Sequence, residues 1–439
     1  MESQQTHAAF TLRNALSLRA NVAWTLAGNI VYALAQWGML AAISKIGTAF
    51  MVGQFALGLA VSAPIYMFTN MQLRTIQATD ARGEYAFAEY FALRLIASIM
   101  GLGTILLIAA FNHSARQTVL VIMAIATAKG FESVSDVIYG LCQKHEHMQF
   151  IAISMMMKGI GSVAALVIVL RITHSVFEAS CAMAGLWLLV LLVFDLHWAK
   201  RLLRWEPAHP RKWIPDLRHG GVRKLCILAL PLGLQTMLAS LTVNIPRYLV
   251  AHYLGTATLG IYAAMAYFIV AGHTVIAAVG NSVQARVSRY WYSSLPAFRK
   301  LLLQCASFAL GIGLVGSLIA AVAGKRILTL FYRPEYATHI GVFETLMVAA
   351  GFYYVGSILN PGVAAARKLW VYTLAYLIVP IMALACSVVL IPHDGLSGAA
   401  IATLAYCFGN AAIPAFVLVS AYRDASSVRS RATLANETA

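Results

Sequence analysis

Four basic side chains stand inside otherwise apolar stretches of this chain: Arg94, Lys129, Lys158 and Arg247. On insertion scales an ionisable group at the centre of a membrane helix costs about 2.5 to 3.5 kcal/mol, so such a group needs a partner or a watery cavity. Guanidinium and ammonium groups suit phosphate oxygens, which accept charge-assisted hydrogen bonds, and arginine can offer a bidentate fork. The chemistry on offer is therefore anion binding rather than bond breaking. Arg247 is the first candidate for a phosphate contact; the alternative is snorkelling to a membrane surface only a few residues away. Lys158 lies about ten residues into its apolar run, where snorkelling is harder, and is expected to face a cavity. Lys129, Glu132 and Asp136 fall at i, i+3 and i+7 on one helical face. They read first as a self-compensating cluster and second as a substrate contact. Arg94 reads first as a snorkelling side chain and second as a fourth cation of the same site.

The neutral polar residues Asn29, Gln36 and Asn244 can hydrogen-bond a hydroxyl-rich ligand, and they can equally bridge neighbouring helices. Glu344 and Glu178 are the isolated carboxylates able to carry a coupling proton, and His273 is the isolated histidine. His145-Glu146-His147 lacks the i, i+4 spacing of helical metal ligands, so no metal is expected. No G-x-x-x-x-G-K-[ST] loop is present, which argues against an ATP-driven pump, and no cofactor is expected.

The elements that position these residues follow from composition. Of 439 residues 60% are hydrophobic and 11% charged, against about 25% charged in a soluble protein. With about 20 apolar residues per span, the chain has room for roughly a dozen spans and little else. Apolar runs predict helices over 22–43, 48–68, 90–111, 117–139, 149–170 and 174–197, then 225–251, 256–282, 301–321, 338–360, 369–391 and 395–420. The fold expected is an all-α polytopic membrane protein of about 12 transmembrane helices, arranged as two six-helix bundles around a central cleft. Residues 1–21 read as a cytoplasmic interfacial lead-in rather than a cleaved signal, because the first apolar run continues to Ile43. Residues 198–224, with Pro207, Pro210 and Pro215 among eight basic residues, read as a cytoplasmic linker, and 421–439 as a polar cytoplasmic tail.

The formal charge of +16 in a soluble protein would suggest nucleic acid. Here the basic residues lie between apolar runs. With both termini cytoplasmic, 22 of them fall in cytoplasmic segments and 6 on the other side, the bias of an inserted membrane protein, and no nucleic-acid partner is expected. The six cysteines show no CxxC and read as small buried hydrophobes.

The halves repeat. Ile46-Gly47-Thr48-Ala49 followed by Gly53-Gln54-Phe55-Ala56 matches Leu254-Gly255-Thr256-Ala257 followed by Gly260-Ile261-Tyr262-Ala263, and Gln72-Leu73-Arg74 recurs as Gln284-Ala285-Arg286. Six spans return the chain to its starting side, so the repeats are parallel.

The segment from Asn244-Ile245-Pro246-Arg247 through Leu259-Gly260-Ile261-Tyr262-Ala263 resembles the seventh helix and following turn of bacterial polysaccharide flippases. These are the O-antigen and exopolysaccharide translocases of the multidrug/oligosaccharidyl-lipid/polysaccharide exporter superfamily. Gln72-Leu73-Arg74 with Asp80, Phe331-Tyr332-Arg333-Pro334-Glu335-Tyr336 and Asp394-Gly395-Leu396-Ser397-Gly398 are similar to that family in the same order. Family members often carry an acid just before the basic residue of the seventh helix; here that place is Pro246.

The resemblance implies a flippase, not an enzyme. It would move a polyprenyl-diphosphate-linked oligosaccharide from the cytoplasmic to the periplasmic leaflet of the bacterial inner membrane by alternating access, with membrane lipids and a polysaccharide polymerase as partners. A cation-coupled multidrug exporter of the same fold is the alternative, but no carboxylate lies between Glu2 and Asp80, so the first two helices lack the acid it needs. A membrane glycosyltransferase or polymerase of the same pathway is the other alternative. The longest connection, 198–224, offers it only Glu206 and Asp216.

Overall fold

The computed structural model describes residues 17–80, 83–111, 115–203 and 220–437. The expected lead-in before Ser17 and most of the basic linker lie outside these residues. Within them the chain is helical, and each predicted span falls on a helix.

The first unit, Met1–Leu241, begins with α1 (Leu18–Ile46). The Ser17 hydroxyl caps it by accepting the Ala20 N–H, satisfying one of the donors a helix start leaves free. Thr48 does the same for α2 (Ala49–Asn70), so the predicted Gly-Thr-Ala turn is the corner between these two helices. Met71 and Gln72, both left-handed, end α2 and open the short α3 (Leu73–Thr79). Then follow α4 (Phe87–Phe111), α5 (Arg116–Lys144), α6 (Met148–Thr173) and α7 (Val176–Val190). A π-turn over Leu191–Asp195 joins α7 to α8 (Leu196–Leu203). The linker read over 198–224 therefore starts as helix. Helix α1 packs along α6, where Gly28 lies against Ala152, while α5 packs against α2, α4 and α7. Small residues let helix backbones approach this closely, which is how helices associate in lipid.

The chain passes from the first compact unit to the second between Leu241 and Thr242, inside α9 (Gly221–Leu254). The second unit continues with α10 (Thr256–Ser293), after a Gly255 corner at φ +85° that repeats the Gly47 corner of the first unit. It contains α11 (Leu295–Phe331), the single turn α12 (Pro334–Ala337), α13 (Ile340–Ala365), α14 (Leu369–Tyr376) and α15 (Ile378–Glu437). Helix α13 is central, packed against α10, α11 and α15, with Gly351 against Gly313 of α11.

Several boundaries differ from the apolar pattern; α11, for one, runs over Leu295–Phe331 instead of 301–321 and so takes in Lys325 and Arg326. Helix α10 runs eleven residues past the predicted 282 and carries Arg286 and Arg289, because nothing between Asn281 and Ser293 breaks it and a helix already nucleated adds residues at little cost. The stretch 421–437, expected as a polar tail, continues α15 for the same reason.

Eleven helices among the described residues are long and apolar enough to cross a membrane. The last, Val371–Ser427, has 57 residues, about 85 Å at the helical rise and far more than one crossing. Gly395 divides it, with φ +59° and ψ −131°, a conformation that side chains oppose. Past it the chain doubles back: Gly398 meets the Leu390 carbonyl, Gly409 meets Met382, and Tyr376 donates to Asn410 at 3.2 Å. The described residues thus supply the twelve expected spans.

Candidate substrate site

In the first unit the buried charges are assembled into pairs. The π-turn inserts an extra residue into the helix and aims Asp195 at α6. Its carboxylate lies 2.8 Å from the Lys158 ammonium, and the two residues are 2% and 1% exposed. Lys158 donates to Asp195, to the Ser135 hydroxyl and, at 3.0 Å, to the Tyr139 hydroxyl, so all three ammonium protons are used. Ser135 donates to the same Asp195 oxygen at 2.6 Å, and Tyr139 shares a 2.7 Å hydrogen bond with Ser154. A buried ion pair repays its desolvation only when its remaining valences are met in this way.

The one-face triad on α5 is divided between partners. Glu132 takes Lys129 at 2.7 Å and also accepts the Tyr32 hydroxyl of α1, while the Lys129 ammonium lies 5.2 Å from the centre of the Trp187 ring. Asp136 instead takes Arg94 of α4 at 2.9 Å, with Arg74 at 3.6 Å. Arg94 is fully buried and also donates to Asn70 and, at 3.3 Å, to Ser133. The expectation that Arg94 snorkels is therefore corrected: a carboxylate on the neighbouring α5 holds its guanidinium inside the unit. Each of the three cations expected here as phosphate ligands, Arg94, Lys129 and Lys158, already has a carboxylate.

Asp80, just after α3, organises the turn into α4. It accepts the N–H of Glu84 at 2.9 Å, that of Tyr85 at 3.2 Å and the Tyr90 hydroxyl at 3.4 Å. Partial burial pushes its carboxyl pKa up, but these hydrogen bonds and the nearby Lys144 charge outweigh that and hold it below the usual value.

The second unit holds its buried cation differently. Arg247 on α9 donates to the Asn244 amide oxygen at 2.9 Å, a neutral partner one turn away, consistent with the absence of an acid at Pro246. Its side chain lines a small cavity of about 70 Å³. The other walls come from α10 (Tyr262, Ala266, Ile269, Val270 and His273), α13 (Tyr353) and α15 (Thr403 and Tyr406), with Val243 from α9. Tyr262 shares a 2.6 Å hydrogen bond with Thr403, and His273 Nε2 lies 2.8 Å from the Ser357 hydroxyl. Ten residues line this space; two can carry positive charge and none is a carboxylate.

The other expected residues are dispersed. Asn244 is buried beside Arg247; Asn29 is exposed on α1, and Gln36 is half-buried one turn after Tyr32. Glu178 is exposed in the first turn of α7, where a negative charge complements the helix dipole. Glu344 is half-buried near the start of α13, about 14 Å along that helix from Tyr353.

Asp195 was the residue sequence reasoning missed, although it stands inside the sixth predicted span and a carboxylate there demands a cation. The cluster of tyrosines around Arg247 had no such signal, since tyrosines spread over three helices look like ordinary apolar filling.

Twelve spans in two units with a parallel repeat, and buried cations held within them, define a multi-pass membrane protein with a transporter fold. The chain belongs to the polysaccharide biosynthesis protein family, which it matches over residues 18–285. It is 26% identical, over 87% of its length and 94% of the relative's, to the capsular polysaccharide biosynthesis protein CapF of Staphylococcus aureus. Among solved structures it resembles an inward-facing multidrug resistance MATE family transporter of the MOP superfamily (TM-score 0.64, 14% identity, 97% of this chain and 98% of that one). It likewise resembles a MOP superfamily transporter from Pyrococcus furiosus whose binding pocket is described as reversed in polarity (TM-score 0.62, 14% identity, 93% and 95%). A point mutant of the Vibrio cholerae MATE transporter VcmN gives a TM-score of 0.59 at 15% identity over 97% and 98%. At these identities the solved structures speak for the fold alone.

Proposed function

We propose that this protein moves a polyprenyl-diphosphate-linked oligosaccharide from the cytoplasmic to the periplasmic leaflet of a bacterial inner membrane by alternating access. Both termini then lie in the cytoplasm. The observation that carries the reading is the Arg247 cavity. A guanidinium that donates, among the described residues, to a neutral amide faces a space with no carboxylate in its described walls, a setting suited to an anion and unsuited to a cationic drug. Family membership and the capsular polysaccharide relative support a glycan cargo. Arg247 takes the diphosphate, Asn244 orients the guanidinium, and the tyrosines offer ring faces and hydroxyls to the first sugar. Lys158, Lys129 and Arg94 serve the first unit through their carboxylate partners. Moving an anion outward from a negative interior is favourable by about 2.3 kcal/mol per charge per 100 mV, so the membrane potential supplies part of the drive.

The test is transfer of a labelled polyprenyl-diphosphate oligosaccharide across proteoliposomes containing the purified chain, with efflux of a cationic dye measured in parallel. Glycolipid transfer without dye efflux is expected, with at least a tenfold loss in Arg247→Ala and a partial loss in Arg247→Lys, which keeps the charge and loses the fork. Dye efflux driven by an ion gradient, without glycolipid transfer, would replace the flippase with a drug exporter.

A further inference from the structure

Resting on the reading of Arg247 as the phosphate contact, we infer that the cavity binds its anion together with a proton taken up by His273. Occupancy by a diphosphate and protonation of this histidine are then linked.

Of the groups lining the cavity, Arg247 is charged at every physiological pH, and only histidine ordinarily changes charge between pH 5 and 8. The elements around the ring leave His273 alone in that range. Helix α9 contributes Arg247, and α10 itself contributes Tyr262. Helix α13 contributes Tyr353 and the Tyr354 hydroxyl, which donates to the Ile269 carbonyl at 3.1 Å. Helix α15 contributes Tyr406 beside the buried Cys407. Helix α11, also packed on α10, carries its charges toward its ends, at Arg299 and Lys300 and at Lys325 and Arg326. The carboxylate of α13, Glu344, lies thirteen residues before Ser357, about 20 Å along the helix.

The partners of His273 suit both of its charge states. A serine hydroxyl can donate to a neutral ring nitrogen and accept from a protonated one, so the 2.8 Å contact with Ser357 survives the change. The ring also packs against Tyr353 with centroids 5.1 Å apart, and an aromatic ring stabilises a cation at that range. Without a ligand, the charge that an imidazolium meets among the described residues lining the cavity is the positive one of Arg247. An anion at Arg247 reverses the sign of that interaction. Arg247 is about 12 Å along α9 from the Gly255 corner and His273 about 27 Å along α10 from it, so the ligand acts on His273 through the field in the cavity rather than by contact. A charge of two at about 15 Å, in a protein interior of effective dielectric near 20, changes a proton affinity by roughly fortyfold. By linkage the ligand's affinity changes with pH by up to the same factor, tighter when His273 is protonated.

The test uses the full chain in lipid nanodiscs and a short-prenyl diphosphate-linked N-acetylglucosamine, a diester whose own charge is constant across the range. Binding is followed by calorimetry between about pH 5.5 and pH 8, in buffers of different ionisation heat. Wild type is expected to take up a fraction of a proton per ligand and to bind about tenfold more weakly at the alkaline end. His273→Gln is expected to bind at every pH as wild type does at the alkaline end, with no proton uptake. Arg247→Ala is expected not to bind. Proton uptake persisting in His273→Gln, or wild-type affinity that does not change with pH, overturns the linkage and leaves the Arg247 reading standing. Undiminished binding by Arg247→Ala overturns the site itself. Elution of each variant as a monodisperse peak separates both outcomes from misfolding.

Discussion

Lys158 and Arg247 are both basic residues within apolar helices, and the structure gives them opposite surroundings. Lys158 spends all three protons on Asp195, Ser135 and Tyr139, whereas Arg247 keeps a neutral neighbour and an open cavity. The difference predicts how each responds to substitution. Lys158→Met leaves the Asp195 carboxylate buried without its cation and is expected to cost about 3 to 5 kcal/mol, read as a lower melting temperature of the purified protein. Adding Asp195→Leu removes the orphan and is expected to restore most of the loss. A double variant no more stable than the single one would mean that Lys158 acts outside this pair. Arg247→Ala, with no buried carboxylate to strand, is expected to lose glycolipid transfer at nearly unchanged melting temperature.

At the scale of elements, the π-turn over Leu191–Asp195 makes the Lys158 pair possible. Each residue of a regular α-helix advances the chain by about 100°, so without the extra residue of the π-turn Asp195 would face elsewhere. Deleting the exposed Val193 converts the turn to α-helix, and the expected result is a fall in melting temperature like that of Asp195→Ala. Little change on deletion would show that the helix re-registers Asp195 by other means. The charged triad on α5 was legible as one face, because spacing along a single helix is a local property. Its division between Lys129 and Arg94 was not legible, because the Arg94 partner comes from α4, 42 residues away in the chain. The extension of α10 through Arg289 was likewise hidden by reading polarity as loop.

At the scale of the molecule, the same Gly-Thr corner recurs after α1 and after α9. The bias of 22 basic residues to 6 predicts that green fluorescent protein fused after Ala439 fluoresces in cells, whereas alkaline phosphatase fused there stays inactive. The reverse pattern would invert the direction of transport proposed here. Apolar run length, basic bias and repeat were readable from the chain alone, since the free energy of inserting a segment sums over consecutive residues and needs no knowledge of neighbours. The doubling back at Gly395, the pairing of Lys158 with Asp195 and the meeting of Arg247 with His273 in one cavity were decided by tertiary structure. Each depends on how helices are rotated and shifted against one another. Coulomb attraction, hydrogen-bond geometry and close packing fix that only once several distant segments are brought together.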